Sequence, residues 1–136
     1  MRMETPPQAN KTVLLVEDNA IAQQGMAVVL RRAGYEVVAF PEGKEALDYL
    51  GSHPPPAVIL LDMMIPSPGL DGWRFLERRI RIRGAATVPV LVTTGLGIAS
   101  DEWACSLGAC GLVRKPIEVD DLLVEIRKCL PEQGKT

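Results

Sequence analysis

Residues 12–17 (TVLLVE), 57–62 (AVILLD) and 88–93 (VPVLVT) are apolar runs without the alternating polar positions of a one-sided sheet. Strands apolar on both faces must be covered on both, which points to a parallel sheet between helices. EVVAF (36–40) and GLVR (111–114) complete a set of five strand candidates. The segments between them carry helical patterns. Over 119–130, Val119, Leu122, Leu123, Ile126 and Leu130 recur at a 3.6-residue period. Over 20–32, Ile21, Gly25, Val28 and Val29 share a face, and Gly34 follows as a C-terminal cap. Over 72–82, Trp73, Leu76 and Ile80 line one side behind Asp71 as N-cap. Ser100 caps a helix at about 101–108, and EGKEALDYL forms a short helix ending at Gly51. Five βα units imply right-handed crossovers and a doubly wound α/β sheet of order 2-1-3-4-5.

The chain has 136 residues, enough for one core, with 47% apolar and 24% charged residues. Its formal charge of −2 gives no general attraction to nucleic acid or anionic membrane. The apolar run Val13–Val16 is too short for a signal-peptide core, and nothing approaches a membrane span. The reading is of a cytoplasmic protein. Residues 1–10 read as a disordered leader and 132–136 as a disordered tail, flanking one domain over 11–131. Cys105, Cys110 and Cys129, odd in number and without zinc-site spacing, read as reduced thiols. His53, in GSHPPP, reads as a solvated loop residue.

Parallel sheets of this kind bind ligands beyond the carboxyl ends of their strands. Asp62 ends the third strand there. Glu17 and Asp18 end the first, Thr93, Thr94 and Gly95 the fourth, and Arg114, Lys115 and Pro116 the fifth. The order 2-1-3-4-5 converges Glu17, Asp18, Asp62, Thr94 and Lys115. At ~4 Å, a like-charge pair costs roughly 1 kcal/mol in water and about 4 kcal/mol at an effective dielectric of 20. Such a cluster calls for cations: Lys115 and a divalent ion on oxygen ligands, with Mg2+ suited to a few-carboxylate site that shares positions with a phosphoryl group. A carboxylate can attack phosphorus and become an aspartyl phosphate. In that chemistry Asp62 attacks. Glu17, Asp18, Asp62 and the Met64 backbone carbonyl hold the metal, and Thr94 and Lys115 meet phosphoryl oxygens. Taken singly, Asp18 could be a helix cap, TTG a turn and KP a loop. Their conjunction at four strand ends is what points to a site.

With these residues assembled, the chain over about 11–131 resembles a receiver domain of two-component response regulators. VLLVEDN resembles the family's first strand and acid pair, and VILLDMMIP its phosphoacceptor strand, with Pro66 four residues after Asp62. VPVLVTTG places Thr94 at the switch position, and GLVRKP supplies a lysine before a proline, commonly a cis peptide in the family. The resemblance implies a CheY-like (βα)5 fold and Mg2+-dependent phosphorylation, with Mn2+ as an alternative ion. It also implies a donor phosphohistidine on a sensor histidine kinase or histidine phosphotransfer protein. The implied switch is a protein-interaction face of the fourth helix, fifth strand and fifth helix, meeting a downstream protein and able to pair two phosphorylated copies. Direct nucleic-acid or membrane binding is not expected.

Three departures stand out. Leu112 occupies the usual aromatic switch position, so Thr94 is expected to move with a readout through loop and fourth-helix shifts. PSPGLDGW is longer by two residues than the common loop. Met64 and Leu96 sit where polar residues orient water in some members, and neither can do so by hydrogen bonding. No helix-turn-helix is read beyond 131, which suggests a single-domain regulator or a receiver cut from a larger protein. Two other readings are an aspartate-nucleophile phosphatase, disfavoured by Met64 in place of a general acid, and a degenerate docking domain, disfavoured by retention of the acids and lysine. The arginines at 74, 78, 79, 81 and 83 read as a solvated face. Trp73 and Trp103 read as partly buried.

Overall fold

The computed structural model describes residues 10–63, 71–97 and 99–130. Met64, Pro66, most of the PSPGLDGW loop, the tail and all of the leader except Asn10 lie outside them. The elements run β1 (Thr12–Val16), α1 (Ala20–Arg32), β2 (Glu36–Phe40), α2 (Gly43–Ser52), β3 (Val58–Asp62), α3 (Gly72–Arg79), β4 (Val90–Thr94), α4 (Asp101–Ser106), β5 (Gly111–Arg114) and α5 (Val119–Cys129). The strands form one parallel sheet of order β2-β1-β3-β4-β5, the doubly wound α/β fold the apolar runs imply.

Strand pleating explains why β3 and β4 carry consecutive apolar residues up to Asp62 and Thr93. Leu14, Val16, Ile59, Leu61, Val90 and Val92 pack on one face against Ala46 and Leu50 of α2, Phe75 and Leu76 of α3, and Ala104 of α4. Val13, Leu15, Val58, Leu60, Leu91 and Val113 pack on the other against Met26 and Leu30 of α1 and Leu122 and Ile126 of α5. With a helical layer on each face, every position of β3 and β4 is buried.

Several local expectations are corrected. The buried face of α1 is Met26, Ala27 and Leu30, whereas Ile21 is 83% exposed and Val28 is exposed. In α3, Phe75, Leu76 and Arg79 turn inward, while Trp73 and Ile80 stay exposed. The α3 helix ends at Arg79 and the chain continues through turns and bends to β4. The buried Arg79 donates from Nη1 to the carbonyls of Ala85 (3.3 Å) and Ala86 (2.9 Å), tying that connection down. It is therefore not part of a solvated face. Trp73 meets Trp103 edge-on at 6.1 Å between centroids, bridging α3 and α4.

Cys110 and Cys129 form a disulfide, not two reduced thiols; Cys105 is free and exposed. The physical reason is topological. α5 runs back along the sheet after β5, so its last residue returns to the start of β5 and brings the Cα atoms within 5.6 Å.

Gly72 opens α3 against the residue after Asp62. A Cβ there would lie 2.8 Å from both Cα and Sδ of Met63. The thioether could move; the backbone could not without shifting β3. We expect Gly72→Ala to lower stability by about 2–3 kcal/mol in urea melts, the upper range for overpacking a rigid contact. It should also disturb the position of Asp62.

Candidate functional site

At the carboxyl edge of the sheet, each functional side chain is set by a strand end. Glu17 N–H donates to the Phe40 carbonyl (3.1 Å), carrying the β1–β2 pairing one step beyond β1. Lys115 N–H donates to the Thr94 carbonyl (2.9 Å), doing the same beyond β5. Asp62 pairs in register with Thr93, and Thr94 with Arg114. The α1 helix is capped by Asn19, whose Oδ1 accepts from Ala22 N–H at 2.8 Å. The cap is therefore not Asp18, whose carboxylate joins the cluster instead.

Carboxylate oxygens of Glu17, Asp18 and Asp62 lie within 4.8 Å of one another. Glu17 and Asp62 are buried and Asp18 is exposed. Lys115 Nζ donates to Asp62 Oδ2 at 3.0 Å and to Glu17 Oε1 at 3.1 Å. Glu17 Oε2 also accepts from Asn19 N–H at 3.1 Å. Burial pushes the Glu17 carboxyl above its ordinary value, against the lowering effects of the Asn19 N–H and Lys115. Burial pulls the Lys115 ammonium down, but its hydrogen bonds to Asp62 and Glu17 prevail and leave it raised.

Both shifts make the folded state less stable as pH rises, in different pH windows. A raised Glu17 holds its proton more tightly when folded, so its contribution is greatest at acid pH and is lost as pH rises through its folded pKa. The raised Lys115 stabilises fully below the ordinary lysine value, and that contribution is lost as pH climbs through its folded pKa. We expect Glu17→Gln to gain stability relative to wild type as pH rises through the carboxyl range in metal-free buffer. Chemical denaturation across that range checks it.

Three converging oxygens, two of them buried, beside one ammonium form a donor set suited to a hard divalent cation with oxygen ligands. Glu17, Asp18 and Asp62 would hold it, and Lys115 keeps the cluster from carrying its full negative charge. The Met64 carbonyl lies outside the described residues.

Thr94 is fully buried, and its Oγ1 accepts from Leu96 N–H at 3.0 Å. Leu96 is half-buried in the loop that follows, and Leu112 packs half-buried against the α2–α4 side of the core. The Lys115–Pro116 peptide is cis. Two features escaped the sequence reading. Thr93 Oγ1 is buried with no hydrogen-bond partner among the described residues. Arg114 donates to carbonyls of the β4–α4 loop. An arginine's choice of backbone acceptors leaves no sequence signal.

The geometry can be set beside known proteins. The family model for the response regulator receiver domain matches residues 13–127. The transcriptional regulatory protein HprR of Escherichia coli is 34% identical over 116 residues, covering 85% of this chain and 49% of its own length. The chain thus spans about half of that regulator. The polar-differentiation response regulator DivK of Brucella ovis is 30% identical over 122 residues, 88% of this chain and 96% of its own. Among solved structures, the receiver domain of sensor histidine kinase PA1611 from Pseudomonas aeruginosa superposes with a TM-score of 0.77 at 25% identity. That match covers 89% of this chain and 98% of the other, whose active-site cleft coordinates a magnesium ion. Among the described residues, no helix is long and apolar enough to cross a membrane. With the family model spanning most of the chain and the sheet order as observed, the chain belongs to the response regulator receiver family of two-component systems.

Proposed function

We propose that this receiver accepts a phosphoryl group on Asp62 from a phosphohistidine of a histidine kinase or phosphotransfer protein. The observation that carries the reading is Lys115 Nζ, 3.0 Å from Asp62 Oδ2 and 3.1 Å from Glu17 Oε1, inside a three-carboxylate cluster. A magnesium or manganese ion bound by Glu17, Asp18, Asp62 and the Met64 carbonyl would supply positive charge against the phosphoryl oxygens.

The remaining steps belong to the chain. An Asp62 carboxylate oxygen forms a bond to phosphorus while the phosphorus–nitrogen bond breaks, and the electron pair leaves with the donor imidazole. Lys115 turns from Glu17 and Asp62 to a phosphoryl oxygen, and Thr94 donates its hydroxyl to another. In hydrolysis a water oxygen attacks phosphorus and Asp62 departs as carboxylate. The donor domain would cover the apolar groove between α1 and α5, about 540 Å³, where Ile21, Ala22, Val119 and Leu122 lie beside Glu17 and Lys115. The added charge, about −2, redistributes the contacts of Thr94 and Lys115 and switches the α4–β5–α5 face. That face then meets a downstream protein or a second phosphorylated copy.

The testing experiment is a beryllofluoride titration in the presence and absence of Mg2+. Saturable binding that needs Mg2+ and disappears in Asp62→Asn supports the reading. Absence of binding in wild type leaves a docking domain.

Leu96 and Met64 carry no group that can hydrogen-bond an attacking water. The phosphorylated protein is therefore expected to decay slowly. Replacing both with Asn or Glu should speed decay about tenfold, a modest return from orienting the water. The phosphate-release rate after removal of the donor measures it, and an unchanged rate would refute it.

A further inference from the structure

Arg114, the last residue of β5, reaches across to the loop between β4 and α4. Its Nη1 donates to the carbonyls of Leu96 (3.1 Å) and Gly97 (3.4 Å), and Nη2 donates to the carbonyl of Ala99. Thr94 holds the same loop from inside, its buried Oγ1 accepting from Leu96 N–H. Leu96 is therefore fixed through both of its backbone groups. One tie comes from the hydroxyl proposed to meet the phosphoryl group. The other comes from the residue next to Lys115.

The surroundings leave Arg114 committed to this loop. Asp101, Glu102, Asp121 and Glu125 line the neighbouring cleft between α4, β5 and α5. The guanidinium nevertheless forms no ion pair among the described residues; its bonds go to carbonyls. The loop leads directly into α4, where Ser100 Oγ accepts from Trp103 N–H at 3.1 Å. Displacing residues 96–99 thus displaces the cap of α4. Leu112 provides neither a hydroxyl nor a ring for that connection.

We propose that Arg114 is a positioning residue that latches the β4–α4 loop in its unphosphorylated arrangement and releases it when Thr94 turns to a phosphoryl oxygen. The inference rests on Asp62 being the phosphoacceptor. Once Thr94 Oγ1 moves inward, Leu96 loses its N–H acceptor, and its carbonyl cannot follow the loop while bound to Arg114. A contact made only in the free arrangement stabilises that arrangement, so its removal favours the loaded one.

The test compares wild type, Arg114→Gln and Arg114→Lys in Mg2+-beryllofluoride titrations, with amide exchange of 96–99 measured in the free protein. Arg114→Gln should bind beryllofluoride about three- to fivefold more tightly, the modest effect of losing charge-assisted bonds from a partly solvated group. Arg114→Lys, which retains the charge but not the fork, should fall between. Exchange at 96–99 should accelerate in both. The direction is diagnostic: if Arg114 acted only as a positive charge near an anion site, Arg114→Gln would bind beryllofluoride more weakly. Weaker or unchanged binding, or unchanged loop exchange, overturns the latch. Should Arg114→Gln fail to fold, Arg114→Lys gives the same two readouts. Wild type that takes no beryllofluoride would instead remove the phosphoacceptor reading, while loop exchange would still report whether the latch exists.

Discussion

Asp62→Asn should abolish phosphoryl acceptance, with less than about one part in a thousand of the wild-type rate remaining, because the attacking atom itself is removed. An amide oxygen is neither anionic nor able to yield a stable acyl phosphate. The same change removes one of three clustered carboxylates, so the Mg2+-dependent rise in melting temperature should shrink as well. For the wild type, Mg2+ at ten times its dissociation constant adds about 1.4 kcal/mol. In Asp62→Asn that gain should fall to a few tenths. The 3.1 Å contact between Lys115 and Glu17 does not involve Asp62, so the fold should survive in the variant and the loss be chemical. Donor-driven incorporation of labelled phosphoryl groups, read beside thermal melts with and without Mg2+, separates the two effects.

Lys115→Met should be the most destabilising change at the site in metal-free buffer. Among the described residues, Lys115 pairs with both buried carboxylates, and its side chain is 30% exposed against 1% for Glu17 and 3% for Asp62. Removing one partner of a buried pair costs about 3–5 kcal/mol. The partial exposure of Lys115 lets water replace some of its charge, which brings the expected loss to about 2–3 kcal/mol. Two conditions should recover part of it. Acid pH lowers the negative charge of the cluster, and Mg2+ neutralises it. Phosphorylation should slow by about a hundredfold, since one positive group against the transferring phosphoryl is gone. Urea titrations at neutral and acid pH, with and without Mg2+, resolve the stability components. A uniform loss under all four conditions would mean that Lys115 acts by packing alone.

How much of this was legible in the sequence depends on how local each cause is. The sheet could be read because burial on both faces leaves its mark on every residue of β3 and β4. Asp71 and Ser100 were legible as caps because the acceptor and its N–H lie three residues apart, at Arg74 and Trp103. The inward face of α1 was not legible. Its apolar residues nearly encircle the helix, and only the packing of Met26 and Leu30 on β1 and β3 decides which side turns in. Ile80 misled for a related reason. The helix stops one residue earlier, and Arg79 takes the inward position to satisfy loop carbonyls.

At the site, the acids and lysine were legible as strand ends, and strand order then fixes which ends are neighbours. Lys115 reaches Glu17 across 98 residues of sequence and Asp62 across 53. No local pattern encodes either contact. The Cys110–Cys129 bond was hidden in the same way, since it depends on α5 folding back along β5. The Arg114 contacts were the least accessible, because backbone carbonyls are present at every position and select no residue type.

The most direct measurement is to expose the wild-type protein to a small-molecule phosphoryl donor with Mg2+, trap it with borohydride, and map the modified residue by peptide mass spectrometry. Reduction turns an aspartyl phosphate into homoserine, and the account predicts that product at position 62 alone, none without Mg2+. Homoserine at Asp18 or elsewhere, or label resistant to borohydride on His53, would contradict it.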